Sequence, residues 1–171
     1  MRKLIASTVL VAGLATPALA AAGTGGAAAT AQADKTIVQT AAADKRFTTL
    51  VSLVKRAGLV DALSGDTKLT VFAPTNAAFE KVPKATLQKL LSDRTKLRRV
   101  LLYHVVAGDV KAKQVVQLRR ARTLAGPSVR IRVRDGKVYL NNGRTKVVQT
   151  DVAATNGTIH VINRVLLPPA R

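Results

Sequence analysis

The residue types that usually carry out catalysis are scarce in this chain. It contains no cysteine, and Glu80 is its single glutamate. The two histidines, His104 and His160, have no acidic residue at the helix or strand spacing that would complete a metal site. The serines lie outside the sharp strand-to-helix turn that a nucleophilic serine needs, and no glycine-rich phosphate loop is present. We therefore expect no enzymatic activity, no catalytic residue, no metal site and no cofactor.

The side chains best suited to bind a ligand belong to a predicted β-meander. From Arg130 to Arg134 charged and β-branched residues alternate, and Asp135-Gly136 is a strong two-residue hairpin signal. A second turn of this kind at Asn142-Gly143 would place one set of residues on the same outward side of the sheet. We call this set the basic face: Arg130, Arg132, Arg134, Lys137, Tyr139, Arg144 and Lys146.

The basic face has the chemistry of an anion-binding surface. Arginine presents a planar fork of donors that suits carboxylate, sulfate and phosphate groups. Like charges on neighbouring strands repel each other, so the arrangement costs stability unless anions or solvent screen it. The alternative is an ordinary solvated strand face, whose charged side chains point into water and bind no ligand. On the opposite side of the hairpin, Ile131 and Val133 are expected to meet Leu140 and Val138 in the core. A further cluster lies nearby in the sequence: Arg119, Arg120 and Arg122.

The net charge favours the same class of ligand. The chain has 28 basic and 9 acidic residues, a formal charge of +19. Such an excess attracts polyanions over a Debye length. The alternative is that the charge serves only solubility. Nucleic acid is the less favoured polyanion, because the meander lacks the repeated aromatic residues that stack on bases.

The first part of the chain predicts export. Residues 1–20 combine Arg2 and Lys3, an apolar stretch and a final Ala18-Leu19-Ala20, which is typical of a secretory signal peptide. Residues 21–33 are almost entirely Ala, Gly and Thr and lack large side chains to bury, so we interpret them as a flexible linker. We expect one domain over residues 34–168, a tail over 169–171, no membrane span after signal removal, and a secreted, periplasmic or cell-surface location in a bacterium.

The elements that would position these residues centre on the segment Lys68–Phe79. It predicts a strand that ends at Pro74 and then a short helix with Thr75 or Asn76 as its N-cap. Apolar residues on both sides of this strand indicate burial on both faces. Helices come first and the meander last, with one early strand, at about residues 68–73, that must join the later sheet, so we predict an α+β fold. The predicted helices are Asp34–Ala43, one capped by Asp44, one after Pro83, Arg94–Tyr103, and Val110–Leu118 capped by Asp109.

His104 follows Val100 by four residues, which puts it on the buried face of its helix. One interpretation is a core histidine whose ring nitrogens bind backbone groups. The other is a pH-sensitive lock, because a buried neutral imidazole must become charged in acid.

Four segments together resemble the fasciclin domain family: Thr70–Phe79, Tyr103–Val106, Thr123–Gly126 and Asn156–Pro168. The resemblance implies a compact mixed fold, a β-wedge with helices, without a catalytic centre. It also implies a secreted or surface-attached module used in adhesion and in contacts with matrix or cell-surface components. Four positions match residues implicated in integrin binding in some animal members: Tyr103, His104, Asp151 and Val152.

Two functions follow as hypotheses. The first is a secreted adhesion or binding module whose basic face contacts a cell-surface or matrix component, such as an anionic polysaccharide or another polyanion. The alternative is a protein-binding module whose partner docks near Tyr103 and His104, with the positive charge serving only solubility. Neither hypothesis sets an oligomeric state.

Overall fold

The computed structural model of the protein describes residues 35–169. The predicted signal peptide, the predicted linker and residues 170–171 lie outside this range. Within it, none of the helices has both the length and the apolar character needed to cross a bilayer.

The described elements begin with helices, with two strands among them, and end with five consecutive strands. The helices are α1 Ile37–Ala43, α2 Thr48–Ala57, α3 Val60–Ser64, α4 Asn76–Glu80, α5 Lys84–Ser92, α6 Arg94–Tyr103 and α7 Ala112–Val115, with a 3-10 turn at Lys45–Phe47. The strands are β1 Leu69–Pro74, β2 Val105–Ala107, β3 Arg120–Arg122, β4 Ser128–Arg134, β5 Lys137–Leu140, β6 Thr145–Ala154 and β7 Gly157–Ile162.

The strands form one sheet in the order β2-β1-β7-β6-β5-β4-β3. The two outer strands approach each other through an isolated bridge between Val106 and Thr123, so the sheet is nearly closed. The early strand β1 joins the sheet between β2 and β7, antiparallel to β2 and parallel to β7. The predicted α+β fold is therefore confirmed.

Strand β1 separates two apolar cores. All of its residues from Leu69 to Pro74 are buried, as the sequence predicts. Leu69, Val71 and Ala73 pack into the core under the helices. Phe72 points the opposite way, into the core enclosed by the meander. The period of two along a strand explains how one segment serves both cores.

The predicted cap of α4 is right in position but wrong in its hydrogen bond. Thr75 is the N-cap residue, but its side chain makes no capping hydrogen bond. Asn76 instead accepts a hydrogen bond from the Thr49 amide at 3.1 Å, and its Nδ2 donates to the Lys45 carbonyl at 3.0 Å. It thereby satisfies a first-turn amide of α2, while Asp44 caps only the 3-10 turn before that helix. The side chain thus joins two helices rather than beginning its own.

The predicted helix Val110–Leu118 is also wrong in extent and cap. The structure has α7 only at Ala112–Val115, with Lys111 at the N-cap position. The carboxylate of Asp109 is already engaged, because it accepts a hydrogen bond from the Thr158 hydroxyl and lies 3.3 Å from the Lys111 ammonium. A partner on β7 has therefore displaced the local capping bond.

The register of the meander is confirmed. Arg132 pairs with Tyr139, and Tyr139 pairs in turn with Lys146. Val133 departs from the prediction of burial, because its side chain is 42% exposed although the opposite residue, Val138, is buried. It lies next to the last pair before the turn, where the hairpin extends away from the core.

Gly157 provides a test of the pairing between β1 and β7. Its φ is +149°, and a Cβ at this position would lie 1.8 Å from the Leu69 carbonyl oxygen. We expect Gly157→Ala to lower the free energy of unfolding by about 4 kcal/mol or more, or to prevent folding, because the two backbones would have to separate. Denaturant unfolding followed by circular dichroism measures the loss.

Gly136→Ala is the matched control. Gly136 also has a positive φ, +69°, but nothing lies within 4 Å of an added Cβ. The Gly136→Ala variant should lose only about 1–2 kcal/mol of its free energy of unfolding, which is the cost of the left-handed conformation alone. Equal losses in the two variants would contradict the close-approach explanation.

Candidate anion-binding surface

The basic face is built by the alternation of β4 and by the hairpin that follows it. Val129 and Ile131 are buried, whereas Arg130, Arg132 and Arg134 are exposed. The turn at Asp135-Gly136 has positive φ at both residues, 50° and 69°, as the tight hairpin requires. It sets Lys137 opposite Arg134 and Tyr139 opposite Arg132. The strand β6 then adds Lys146 beside Tyr139.

The structure enlarges this surface with β3. Arg120 pairs directly with Arg130, and Arg122 pairs with Ser128. Both arginines are exposed and flank the buried Ala121, so they extend the basic face by one strand. The alternation of Arg120-Ala121-Arg122 was the available signal. The predicted basic face does not include this cluster, because the pairing of β3 with β4 spans a loop without a hairpin signal.

Like charges meet across the strands of this surface. Arg120 lies opposite Arg130, and Arg134 lies opposite Lys137. Within residues 35–169 the ion pairs are Arg46–Asp44, Lys96–Asp93 and Lys111–Asp109, and none of them includes a residue of the basic face. A shallow depression between β3 and β4 is lined by five arginines: Arg119, Arg120, Arg130, Arg132 and Arg134. Guanidinium groups present planar forks of donors that suit carboxylate, sulfate and phosphate groups.

A second site lies where the hairpin turn meets the helices. The Tyr103 hydroxyl, at the end of α6, donates a hydrogen bond to Oδ1 of Asn141 at 3.2 Å. The Asn141 amide donates to the Arg130 carbonyl at 3.0 Å. These residues line a cleft of about 850 Å³ together with Arg144, and we call it the Tyr103 cleft. Burial raises the pKa of the Tyr103 phenol, so it remains a neutral donor near pH 7.

His104 does not share this cleft. It is only 2% exposed, and both ring nitrogens have backbone partners. The Nδ1–H donates to the Val100 carbonyl at 2.8 Å, and Nε2 accepts from the Leu166 amide at 2.9 Å. Because a carbonyl can only accept, the neutral tautomer carries its proton on Nδ1. Tyr103 is also only 2% exposed, but it is among the residues that line the Tyr103 cleft, whereas His104 is not.

Asp151 and Val152 lie at a bulge of β6, outside the Tyr103 cleft. Asp151 has a φ of 56°, and its carboxylate accepts a hydrogen bond from the Ala112 amide at 2.8 Å. It therefore holds the first turn of α7 against the sheet. Val152 is half-buried and packs on the core under the helices. The structure does not bring these two residues together with Tyr103, and their binding role stays a prediction.

Lys81 and Arg164 line the Tyr103 cleft, and neither is among the site residues predicted from the sequence. Lys81 follows β1 and α4, whereas Arg164 follows β7. Because β1 and β7 are parallel, with Pro74 beside Ile162, both segments leave the same edge of the sheet. The Lys81 ammonium donates to the Asn163 carbonyl at 3.3 Å, which joins the two segments. No local pattern signals this juxtaposition, since it depends on a pairing between distant strands.

Three comparisons place the chain among known proteins. A fasciclin domain model matches residues 45–168, so the chain belongs to the fasciclin domain family. It is 48% identical over 136 residues to Protein sll1483 of Synechocystis sp., a match that covers 78% of this chain and 74% of that protein. It is 40% identical over 114 residues to the cell surface glycolipoprotein MPB83 of Mycobacterium bovis, covering 66% of this chain but 49% of the relative.

A solved structure confirms the fold. It is the FAS1 domain pair from the insect cell adhesion molecule fasciclin I, with a TM-score of 0.66 and 21% sequence identity. The match covers 80% of this chain and 52% of that one. The resemblance inferred from the four sequence segments is therefore confirmed.

The burial of His104 predicts a loss of stability in acid. Burial lowers its pKa from 6.5 to about 4, against a smaller opposing effect of the bond to Val100. The unfolded chain takes up this proton below about pH 6.5, but the folded protein does so only near pH 4. The contribution of His104 to the free energy of unfolding is therefore complete above pH 6.5. About 3 kcal/mol of it should be lost as the pH falls from 6.5 to 4. Urea unfolding at pH 7.5 and pH 4 measures this difference.

His104→Gln is the variant that assigns the effect. It should be less stable than the parent at pH 7.5, because the Val100 carbonyl or the Leu166 amide loses its partner, yet its fall toward pH 4 should be shallower. His160, whose pKa is also lowered by burial, should leave a residual fall of the same sign. An unchanged acid dependence in the variant would show that His104 is not the group responsible.

Proposed function

We propose that this protein is a non-enzymatic adhesion or binding module that acts outside the cytoplasm, and that its basic face binds anionic polysaccharides. The observation that carries the proposal is the side-by-side placement of cationic side chains on β3, β4, β5 and β6. Among the described residues, none of these cations has a carboxylate partner within ion-pair distance.

The family supports the adhesion part of this proposal. One relative is described as a cell surface glycolipoprotein, and the structural match comes from an insect cell adhesion molecule. Those descriptions apply to the relatives. We extend them to this chain because it has the same family domain, and because residues 1–20 favour export.

The physical basis of binding is electrostatic and repeated along the strands. Neighbouring strands lie about 4.8 Å apart and alternate residues of one strand about 7 Å apart, so the arginines form a closely spaced array. A flexible polyanion can engage several of them at once and release the counterions that screen them. Its affinity should then depend strongly on salt.

The second candidate is a protein partner that docks at Tyr103. The observation that favours it is the hydrogen bond between Tyr103 and Asn141, two residues that line the same cleft. Such a contact would involve few charges, so the complex should weaken much less between low and physiological salt. The salt dependence of binding therefore separates the two candidates.

The triple variant Arg130→Ser, Arg132→Ser, Arg134→Ser tests the basic face. We expect its affinity for heparin to fall by at least about tenfold at physiological salt, because three charged contacts are lost. The slope of log affinity against log salt should decrease by up to about three. Isothermal titration calorimetry over a series of salt concentrations measures both quantities.

A second triple variant controls for net charge. Lys55, Arg56 and Arg98 are exposed on helices away from the sheet, and replacing all three by Ser removes the same number of charges. This variant should retain most of the affinity and most of the salt slope. If both triple variants lose the same heparin affinity, net charge rather than the basic face is responsible for binding. If the Arg130, Arg132 and Arg134 variant keeps its heparin affinity and salt slope, the basic face is not the binding site.

A further inference from the structure

The Tyr103 cleft collects positive charge from four separate segments of the chain. Lys81 follows α4, Arg130 lies on β4, Arg144 belongs to the turn between β5 and β6, and Arg164 follows β7. No aspartate or glutamate is among the described residues that line it. The volume of this cleft is about 850 Å³, against about 420 Å³ for the depression on the basic face, and it lies in the range typical of sites for small ligands.

The remaining lining of the cleft is mixed. Asn141 and Asn142 contribute amides and Ser128 contributes a hydroxyl, whereas Val82, Pro83 and Leu167 contribute apolar surface. An amide both donates and accepts, which matches the hydroxyl groups of a sugar. The apolar side chains match the C–H faces of its ring. A bare phosphate or sulfate ion would use only the cations.

We propose that the Tyr103 cleft binds a saccharide unit that carries a carboxylate or sulfate group. This inference rests on the proposed function and names the ligand unit that the protein recognises. The basic face attracts the polyanion over a distance, and the cleft holds one acidic sugar of the chain. The two surfaces share Arg130 and Arg144, so a chain bound along β4 leads into the cleft.

Two contacts prepare the cleft for this role. The Tyr103 hydroxyl occupies Oδ1 of Asn141, so the Nδ2 group of Asn141 remains as the donor for a sugar hydroxyl. The Lys81 ammonium uses one proton for the Asn163 carbonyl and keeps two for an anion. Both side chains are thus positioned before the ligand arrives, which lowers the entropy cost of binding.

The test uses short ligands that fill the cleft but cannot extend across the basic face. The probes are digalacturonate, a sulfated chondroitin disaccharide and neutral lactose, titrated into the protein by calorimetry, with long-chain heparin in parallel. The variant Lys81→Ala, Arg164→Ala removes two exposed cations that belong only to the cleft. The variant Arg132→Ser, Arg134→Ser removes two that belong only to the basic face.

We expect one acidic disaccharide to bind per protein and lactose at least about tenfold more weakly, because it lacks the anionic group. The cleft variant should lose at least about tenfold in disaccharide affinity while keeping most of its affinity for heparin. The variant of the basic face should keep most of its disaccharide affinity and lose affinity for heparin. A preference between digalacturonate and the sulfated disaccharide identifies which anionic group the cleft takes.

Several outcomes would overturn the inference. They are equal binding of lactose, no binding of either acidic disaccharide, disaccharide affinity unchanged in the cleft variant, or tighter binding of a hexaglutamate peptide, which would assign the cleft to acidic protein segments. Each of these can occur while heparin still binds the basic face. Heparin affinity that is unchanged in the variant of the basic face would instead contradict the proposed function.

Discussion

The parallel pairing of β1 with β7 is the constraint on which the rest of the structure depends. It begins where Gly157 lies against Leu69 so closely that no Cβ fits between the two backbones. The preceding residue, Asn156, is 4% exposed and joins three segments: its Oδ1 accepts from the Ile37 amide, and its Nδ2 donates to the Leu63 and Gly65 carbonyls. One turn therefore aligns two central strands and attaches the first helices to them. Strands β1 and β7, which follow this turn in the sheet, are buried along their whole length and contribute side chains to both cores.

The same pairing determines where the candidate sites can lie. Parallel strands end at the same edge of a sheet, so the segments after Pro74 and after Ile162 meet there and form one wall of the Tyr103 cleft. The other wall is the turn that contains Asn141 and Arg144. The meander continues from β6 to β3 on the far side of β7 and carries the basic face. Cleft and face are neighbours because β4 contributes Arg130 to both.

The sequence predicted what local patterns can specify. The alternation from Arg130 to Arg134 and the glycine-containing turn after it determine a register, and the structure has that register. Side chains that could bond either locally or at a distance were predicted wrongly, as with Asn76 and Asp109, because a distant partner displaced the local cap. The cleft was missed for a related reason. Lys81 and Arg164 are 83 positions apart, and only the folded sheet brings them together.

The placement of charge also bears on the choice between a binding surface and a merely solvated one. Solubility requires a net charge, but it does not require Arg120 opposite Arg130 or Arg134 opposite Lys137, since dispersed charges would serve equally. Direct like-charge pairs across strands cost a fraction of a kcal/mol each, up to about 1 kcal/mol. Neither apolar core contains any of these cations, so their pairing contributes nothing to core packing. An external anion that lies between two paired cations attracts both of them, so the net electrostatic energy of the group becomes favourable. This cost is a physical argument for the proposal that the basic face binds a polyanion and does not serve solubility alone.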